Sequence, residues 1–324
     1  MAEVGLKAAA VRLMVREMTR HYISFRDASK EEYEAIFQRA AHFKGLRRGG
    51  KSLYPHLAGR AVGMIFNKPS TRTRVSFECA INELGGHPIV LSSGESQISR
   101  GEAPSHTARV LSRYLAALVI RTYEDQELFD LAESSAIPII NGLTNQKHPC
   151  QVLADVFTLL ETLGEEPLED QLIAWVGDGH NMANTWLEAA AVFGFGLHLA
   201  CPPGYGPDLA VYKEAVADNP KIKLFESPQE AVKGARAINT DVFASMGQEK
   251  ERAKRLKDFA GYQVNAELMA LASPKAIFLH CLPAHVGEEV TEEVVESPAS
   301  LVFEEAENRL HAQKALLEFF VPRL

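Results

Sequence analysis

The chain has 324 residues, with 34 Lys plus Arg against 42 Asp plus Glu and a formal net charge of −8. That balance argues against sequence-independent nucleic-acid binding, which depends on neutralising phosphates, and the length suits two domains of roughly 150 residues, each able to bury its own core. No apolar run approaches the ~20 residues that span a bilayer, so neither nucleic acid nor membrane is an expected partner.

The first segment, MAEVGLKAAAVRLMVREM, spaces Val11, Met14, Val15 and Met18 along one helical face, with Lys7, Arg12 and Arg16 among them. It lacks serine and carries Glu3 and Glu17, which favours an amphipathic extension packed on the body or on another subunit over an organelle presequence. From Ala61 onward, β-rich runs at 61–66, 87–91, 116–120 and 137–140 alternate with the helical patterns TRVSFECAINEL, PSHTARVLSRYL and DQELFDLAES. Alternation of this kind predicts crossover connections, a parallel sheet, and sites at the carboxyl ends of the strands.

A long helical pattern at 148–164 leads into GEEPLED, where clustered acids and Pro167 mark a surface hinge. Strand-like runs then resume at 171–177, 195–201, 221–225, 235–241 and 275–281. The expected fold is α/β, with two domains, each a central parallel sheet flanked by helices, and an active-site cleft between them. Cys79, Cys150, Cys201 and Cys281 are dispersed without metal-type spacing, which suits reduced thiols in the cytoplasm.

Five clusters carry the chemistry. KPSTRTRVSFE (68–78) crowds Ser70, Thr71, Arg72, Thr73 and Arg74 between a buried strand and a helix start, where unpaired amides and the macrodipole favour an anion. The plainer reading of Ser70 or Thr71 is a helix cap; the density of donors favours the anion cradle, and no Walker order is present. VGDGHNMAN (176–184) matches G-x-G at Gly177 and Gly179, but Met182 holds the third glycine position and the next strand ends in Cys201-Pro202 rather than an acid. A dinucleotide turn and a tight turn capped by Asn181 both stay open there. His148-Pro149-Cys150-Gln151 and His280-Cys281-Leu282-Pro283 each end a loop after a strand, with His148 either a helix-start histidine or a donor to a substrate oxygen. Asp241, ahead of the small-residue turn Ala244-Ser245-Met246-Gly247, suits either an ammonium or a helix cap. The spacing of these His and Cys residues does not suggest a metal, and no cofactor is expected.

Together with SFRD (24–27), LGGH (84–87), TARVLSRY (107–114), VIRT (119–122), TDVFASMGQE (240–249) and FEEAENRLHAQKA (303–315), these clusters stand in the order of one family. Over residues 22–320 the chain resembles the aspartate/ornithine carbamoyltransferase family, on its ornithine-using branch. The resemblance implies transfer of a carbamoyl group from carbamoyl phosphate to the side-chain amine of L-ornithine. The site residues it implies for carbamoyl phosphate are Ser70, Thr71, Arg72, Thr73, Gln97, Arg121, His148, Gln151, Cys281, Leu282 and Arg309, with Gln97 reaching into a neighbouring subunit of a homotrimer. For ornithine it implies Asn181, Asp241, Ser245 and Met246. The reacting groups it implies are Arg121, His148, Asp241 and Cys281.

Domain limits follow at 1–150 for carbamoyl phosphate and 151–304 for ornithine, with a final helix from about 305 to 324 returning to the first domain. HCLPA and the SMG turn favour free ornithine over aspartate, N-acylornithine or putrescine. His180 departs from the common pattern, standing where asparagine is frequent. An NAD-linked enzyme built on VGDGHN and a catalytically silent homologue are the competing classes, and the second would have lost donors that are all present here.

Overall fold

The computed structural model describes residues 19–92, 101–245 and 249–323. Residues 1–18, where an amphipathic extension is expected, and Gln97 and Met246 lie outside the described residues. The chain divides into two compact units, Met1–Cys150 with Leu310–Leu324, and Gln151–Arg309.

In the first unit the strands β1 (Ala61–Phe66), β2 (His87–Ser92), β3 (Ala117–Arg121) and β4 (Ile139–Leu143) lie parallel in the order β2-β1-β3-β4. β3 and β4 are buried along their whole length, so their apolar residues do not alternate with exposed polar ones, and Arg121 and Asn141 are buried with them. Leu118, Ile120, Leu128 and Ile139 form part of the core beneath. The sheet is built tightly at Gly63, where an added Cβ would meet the side chain of Leu115 at 2.5 Å.

Helix Lys30–Arg48 starts at a capping box, Ser29 with Glu32. The C-terminal residues are anchored in this unit by Lys314, whose ammonium donates to Glu83 Oε2 at 2.7 Å and Ser52 O at 3.1 Å and lies 4.7 Å from the Phe43 ring centre. Arg39 and Glu318 add an ion pair at 2.6 Å.

The second unit holds β5 (Leu172–Val176), β6 (Gly196–Ala200), β7 (Ile222–Phe225), β8 (Ala237–Thr240) and β9 (Ile277–His280), all parallel, in the order β7-β6-β5-β8-β9. Val176, Ile238, Phe243, Phe259 and Phe278 pack in its core. The expected hinge GEEPLED ends in a short 3-10 turn, Leu168–Asp170.

Strand order decides where chemistry gathers. In the first unit the chain leaves β1 for β2 on one side and returns to β3 on the other, and in the second β5 is flanked in the same way by β6 and β8. Crevices open at such switch points, beyond the carboxyl ends of the strands.

Candidate active site

At the first switch point, Phe66 of β1 pairs with Arg121 of β3, so the loop after β1 emerges beside Arg121. Asn67 fixes that loop: its N–H donates to Arg121 O at 2.9 Å and its Nδ2 donates to Thr122 Oγ1 at 2.9 Å. Helix Arg72–Glu83 then opens with Thr71 at the N-cap, where its hydroxyl makes no capping bond and the residue is exposed. The plain capping role for Thr71 is therefore not used, and Ser70 lies outside the cap position.

Thr73, on the first turn, is buried, and Arg121 Nη1 donates to its Oγ1 at 3.5 Å. Arg72, the first helical residue, is half-buried, while Arg74 turns outward to pair with Glu78 at 2.9 Å. A cradle with helix-start amides, two hydroxyls and the guanidinium groups of Arg72 and Arg121 is suited to a small dianion.

Lys68 belongs to the same wall and was absent from the residues expected to act. Its Nζ donates to Asn145 Oδ1 at 2.5 Å and lies 4.5 Å from the Tyr123 ring centre. Burial first, then the Arg121 cation, hold this ammonium below the usual lysine range. The signal was in plain view, as the first residue of the quoted stretch. His148 is buried just ahead of Pro149, the first residue of helix Pro149–Leu163. The turn before it is tied by Thr144, whose Oγ1 accepts from Gln146 N at 3.2 Å and Lys147 N at 3.0 Å and donates to Asp125.

In the second unit Thr240 pairs with His280 across β8 and β9, so the next residues, Asp241 and Cys281, emerge side by side. The Cys281 thiol donates to Asp241 Oδ1 at 3.2 Å, and Val242 N donates to the same oxygen at 2.8 Å. Burial, and then the Asp241 and Glu305 carboxylates, hold the thiol well above the ordinary cysteine range. Cys281 is thus a protonated donor rather than a standing thiolate. Leu282 follows with φ 55, and its N–H donates to His280 Nδ1 at 2.9 Å.

Asn181 is the first helical residue of Asn181–Phe193, and His180 holds the N-cap position without a side-chain capping bond. The expectation that Asn181 caps this turn is corrected accordingly. Gly179 also has a local explanation. A Cβ on Gly179 would stand 2.2 Å from Gly206 C, and its N–H donates to Tyr205 O at 2.8 Å. The missing side chain makes room for the chain's own backbone, which removes the main support for a dinucleotide turn. Asp178, in the same turn, forms a buried ion pair with Arg255, whose Nε donates to Phe243 O at 2.6 Å. That pair ties the 177–180 turn to the segment that carries Asp241 and Ser245.

Gln151 and Arg309 meet inside the second unit, with Arg309 Nη1 donating to Gln151 Oε1. Gln151 Nε2 donates to Asp155 Oδ1 at 2.8 Å and to Glu305 Oε1 at 2.6 Å. Asp155 and Glu305 are buried and share Gln151 Nε2 as a donor. Burial pushes Asp155 up to about 7 and, with the Asp155 charge, lifts Glu305 well above the carboxylate range, so the pair holds a proton near neutrality. Glu305 Oε2 also accepts from His280 N at 2.9 Å, which connects the pair to the Cys281 turn. Both acids were visible in HPCQ-x3-D and FEEAENR, but burial alone distinguishes them from surface carboxylates.

Among the described residues, two donor sets come within 4.8 Å: Asp241, His280 and Cys281, and His285, Glu288 and Glu289. Hydrogen bonds account for the first, since the thiol donates to Asp241 and His280 Nδ1 accepts from Leu282 N. In the second, Glu288 pairs with Arg252 and Glu289 Oε1 accepts from His285 N at 2.5 Å. Both sets are engaged by these hydrogen bonds and the ion pair.

Two parallel-sheet units, each with polar side chains gathered at a switch point, define a two-domain α/β group-transfer enzyme. The chain belongs to the aspartate/ornithine carbamoyltransferase family: residues 20–161 match its carbamoyl-P binding domain and residues 169–320 its Asp/Orn binding domain. It is 50% identical over 305 residues to the ornithine carbamoyltransferase of Desulfotalea psychrophila, spanning 94% of this chain and 100% of that one. The ornithine carbamoyltransferase of Syntrophotalea carbinolica is 49% identical over 300 residues, 93% of this chain and 98% of that one. Among solved structures, ornithine carbamoyltransferase from Pyrococcus furiosus is similar with a TM-score of 0.88 and 45% identity, covering 92% of this chain and 96% of that one. An acetylornithine transcarbamylase complexed with acetylcitrulline is similar at 29% identity and a TM-score of 0.83, covering 93% and 99%.

Proposed function

We propose that this enzyme transfers the carbamoyl group of carbamoyl phosphate to the side-chain amine of L-ornithine, giving L-citrulline and phosphate. The observation that carries the reading is the Asp241–Cys281 contact at the ends of β8 and β9, 3.2 Å from thiol to carboxylate. An alkylammonium has a pKa near ~10.4 and must lose a proton before it can attack a carbonyl. A carboxylate to hold the cation and a thiol to orient the nitrogen suit that task. Relatives with about half their residues identical over nearly the whole chain, and named for ornithine, support the choice of amine.

On this reading residues 1–150, with the helix from about 305 to 324, bind carbamoyl phosphate, and residues 151–304 bind ornithine. Ser70, Thr71, Arg72 and Thr73 hold the phosphate, and Gln97 reaches the site of a neighbouring copy. As the carbonyl becomes tetrahedral its oxygen gains charge, and preset donors from Thr73, Arg121 and His148 stabilise it. Gln151, the carbonyl of Leu282 and Arg309 orient the carbamoyl amide, while Asn181, Asp241, Ser245 and Met246 hold the amino acid. Phosphate departs with its charge already matched by Arg72.

The reading further includes a homotrimer, a cytoplasmic setting and a place in arginine synthesis. Val75 and Ile89 support self-association: both are exposed, and Ile89 lies on β2, an edge strand of the first sheet. Among the described residues no helix is long and apolar enough to cross a membrane.

The test is a steady-state assay of the purified enzyme with carbamoyl phosphate and L-ornithine, N-acetylornithine, putrescine and L-aspartate. Citrulline formation should exceed carbamoylation of the other three by at least about 100-fold, because groups placed for one ligand are left unpaired by an analogue that lacks its partner. Citrulline at the background rate overturns the proposal.

A further inference from the structure

His180 sits at a cap position that it does not use for capping. Its Nε2 lies 2.7 Å from Ser245 Oγ and 3.7 Å from Asp241 Oδ2. Its Nδ1 is buried without a hydrogen-bond partner. The Asp241 carboxylate is therefore approached from two sides: Cys281 Sγ and Val242 N meet Oδ1, and the imidazole meets Oδ2.

We infer that His180 is a positioning residue whose proton sets how strongly Asp241 holds an ammonium group of the substrate. The inference rests on the ornithine reading above and adds to it a proton linkage in the amino-acid site. A neutral ring leaves the carboxylate its full charge for the substrate cation and keeps Ser245 in place. An imidazolium puts a competing cation within 3.7 Å of the same oxygen. Histidine is the side chain whose charge ordinarily changes between about pH 5 and 8, and asparagine at this position would offer hydrogen bonds with no proton equilibrium.

The neighbouring charges leave Asp241 as the group on which the ring acts. On His180's own turn Asp178 is matched by Arg255 of helix Arg252–Asp258, and from the end of β9 Cys281 presents a protonated thiol. Proton and ammonium compete for one carboxylate, so each weakens the other's binding by the same factor. The effect belongs in KM for ornithine, since the saturated complex has already displaced the competing proton.

The experiment measures kcat and KM for L-ornithine from about pH 6 to 8 at saturating carbamoyl phosphate, in the wild type and in His180→Asn. On acidification the wild-type KM should rise about fivefold more than that of the variant, with parallel kcat profiles. Parallel KM profiles in two active proteins overturn this inference alone, and a wild type that forms no citrulline overturns the ornithine reading and this inference with it. A second measurement needs no variant. In the histidine-labelled wild type, the pH at which the His180 ring signal moves in NMR should fall when L-ornithine binds with inorganic phosphate, a pair that cannot react. A titration that ornithine leaves in place also overturns the linkage.

Discussion

Cys281 and Asp155 both sit in environments that their stretches of sequence do not announce. In the proposed reaction the protonated thiol orients the amine rather than attacking a carbonyl, so Cys281→Ala should lower kcat by about 100-fold, the usual scale for losing one proton-handling group. Ornithine saturation kinetics measure this, and an unchanged kcat would remove the role assigned to the thiol. Asp155 has a folded pKa of about 7 against an ordinary 3.8, a shift caused first by burial. Below the ordinary value both folded and unfolded chains carry the proton, and between the two values only the folded chain keeps it. Stability is therefore fully present at low pH and is lost as pH rises through about 7. Asp155→Asn should make the fall in melting temperature between about pH 4 and 7 shallower, with Glu305 contributing the remainder in the same direction. Equal slopes in wild type and variant would show that the pair carries no shared proton.

At the scale of elements, the turns after the strands do most of the positioning. The turn after β5 is shaped by contact rather than by phosphate recognition. A methyl group on Gly179 would meet the Gly206 backbone at 2.2 Å, and backbone cannot move aside as a flexible side chain can. Gly179→Ala should cost about 1–3 kcal/mol in chemical denaturation, the range for overpacking a tight site. It should also raise KM for ornithine, because the displaced turn carries His180 and Asn181. Wild-type stability in this variant would return the dinucleotide reading of VGDGHN to consideration. The strands were legible as elements because each is a short apolar run bounded by turn residues, with β1 falling on the expected 61–66 and β8 shorter than the expected 235–241. The cap of helix Asn181–Phe193 was misplaced by one residue, since His180 and Asn181 are both polar and only backbone angles separate a cap from a first helical position.

For the whole molecule, the prediction concerns assembly. Ile89, 38% exposed on the edge strand β2, and Val75, 50% exposed on helix Arg72–Glu83, present apolar surface in the first unit. If the proposed trimer forms through this surface, replacing both with aspartate should lower the mass read by light scattering from about three chain masses to one, since two charges would have to be desolvated on association. An unchanged mass would place the contact elsewhere.

What the sequence by itself determined is the class of fold and the family, and with them a set of candidate residues. Alternating β and α patterns require crossovers and parallel strands, and clusters such as STRTR and HCLP carry their chemistry in side chains that can be read one by one. What only the tertiary structure decided is which of them meet. The order β2-β1-β3-β4 brings Arg121 to Thr73, and the register of β8 on β9 brings Asp241 to Cys281 across 40 positions of chain. Protonation was decided there too. The same carboxylate is an exposed anion on a surface helix and a proton carrier when buried beside another acid, and burial is a property of packing that no single stretch of residues contains.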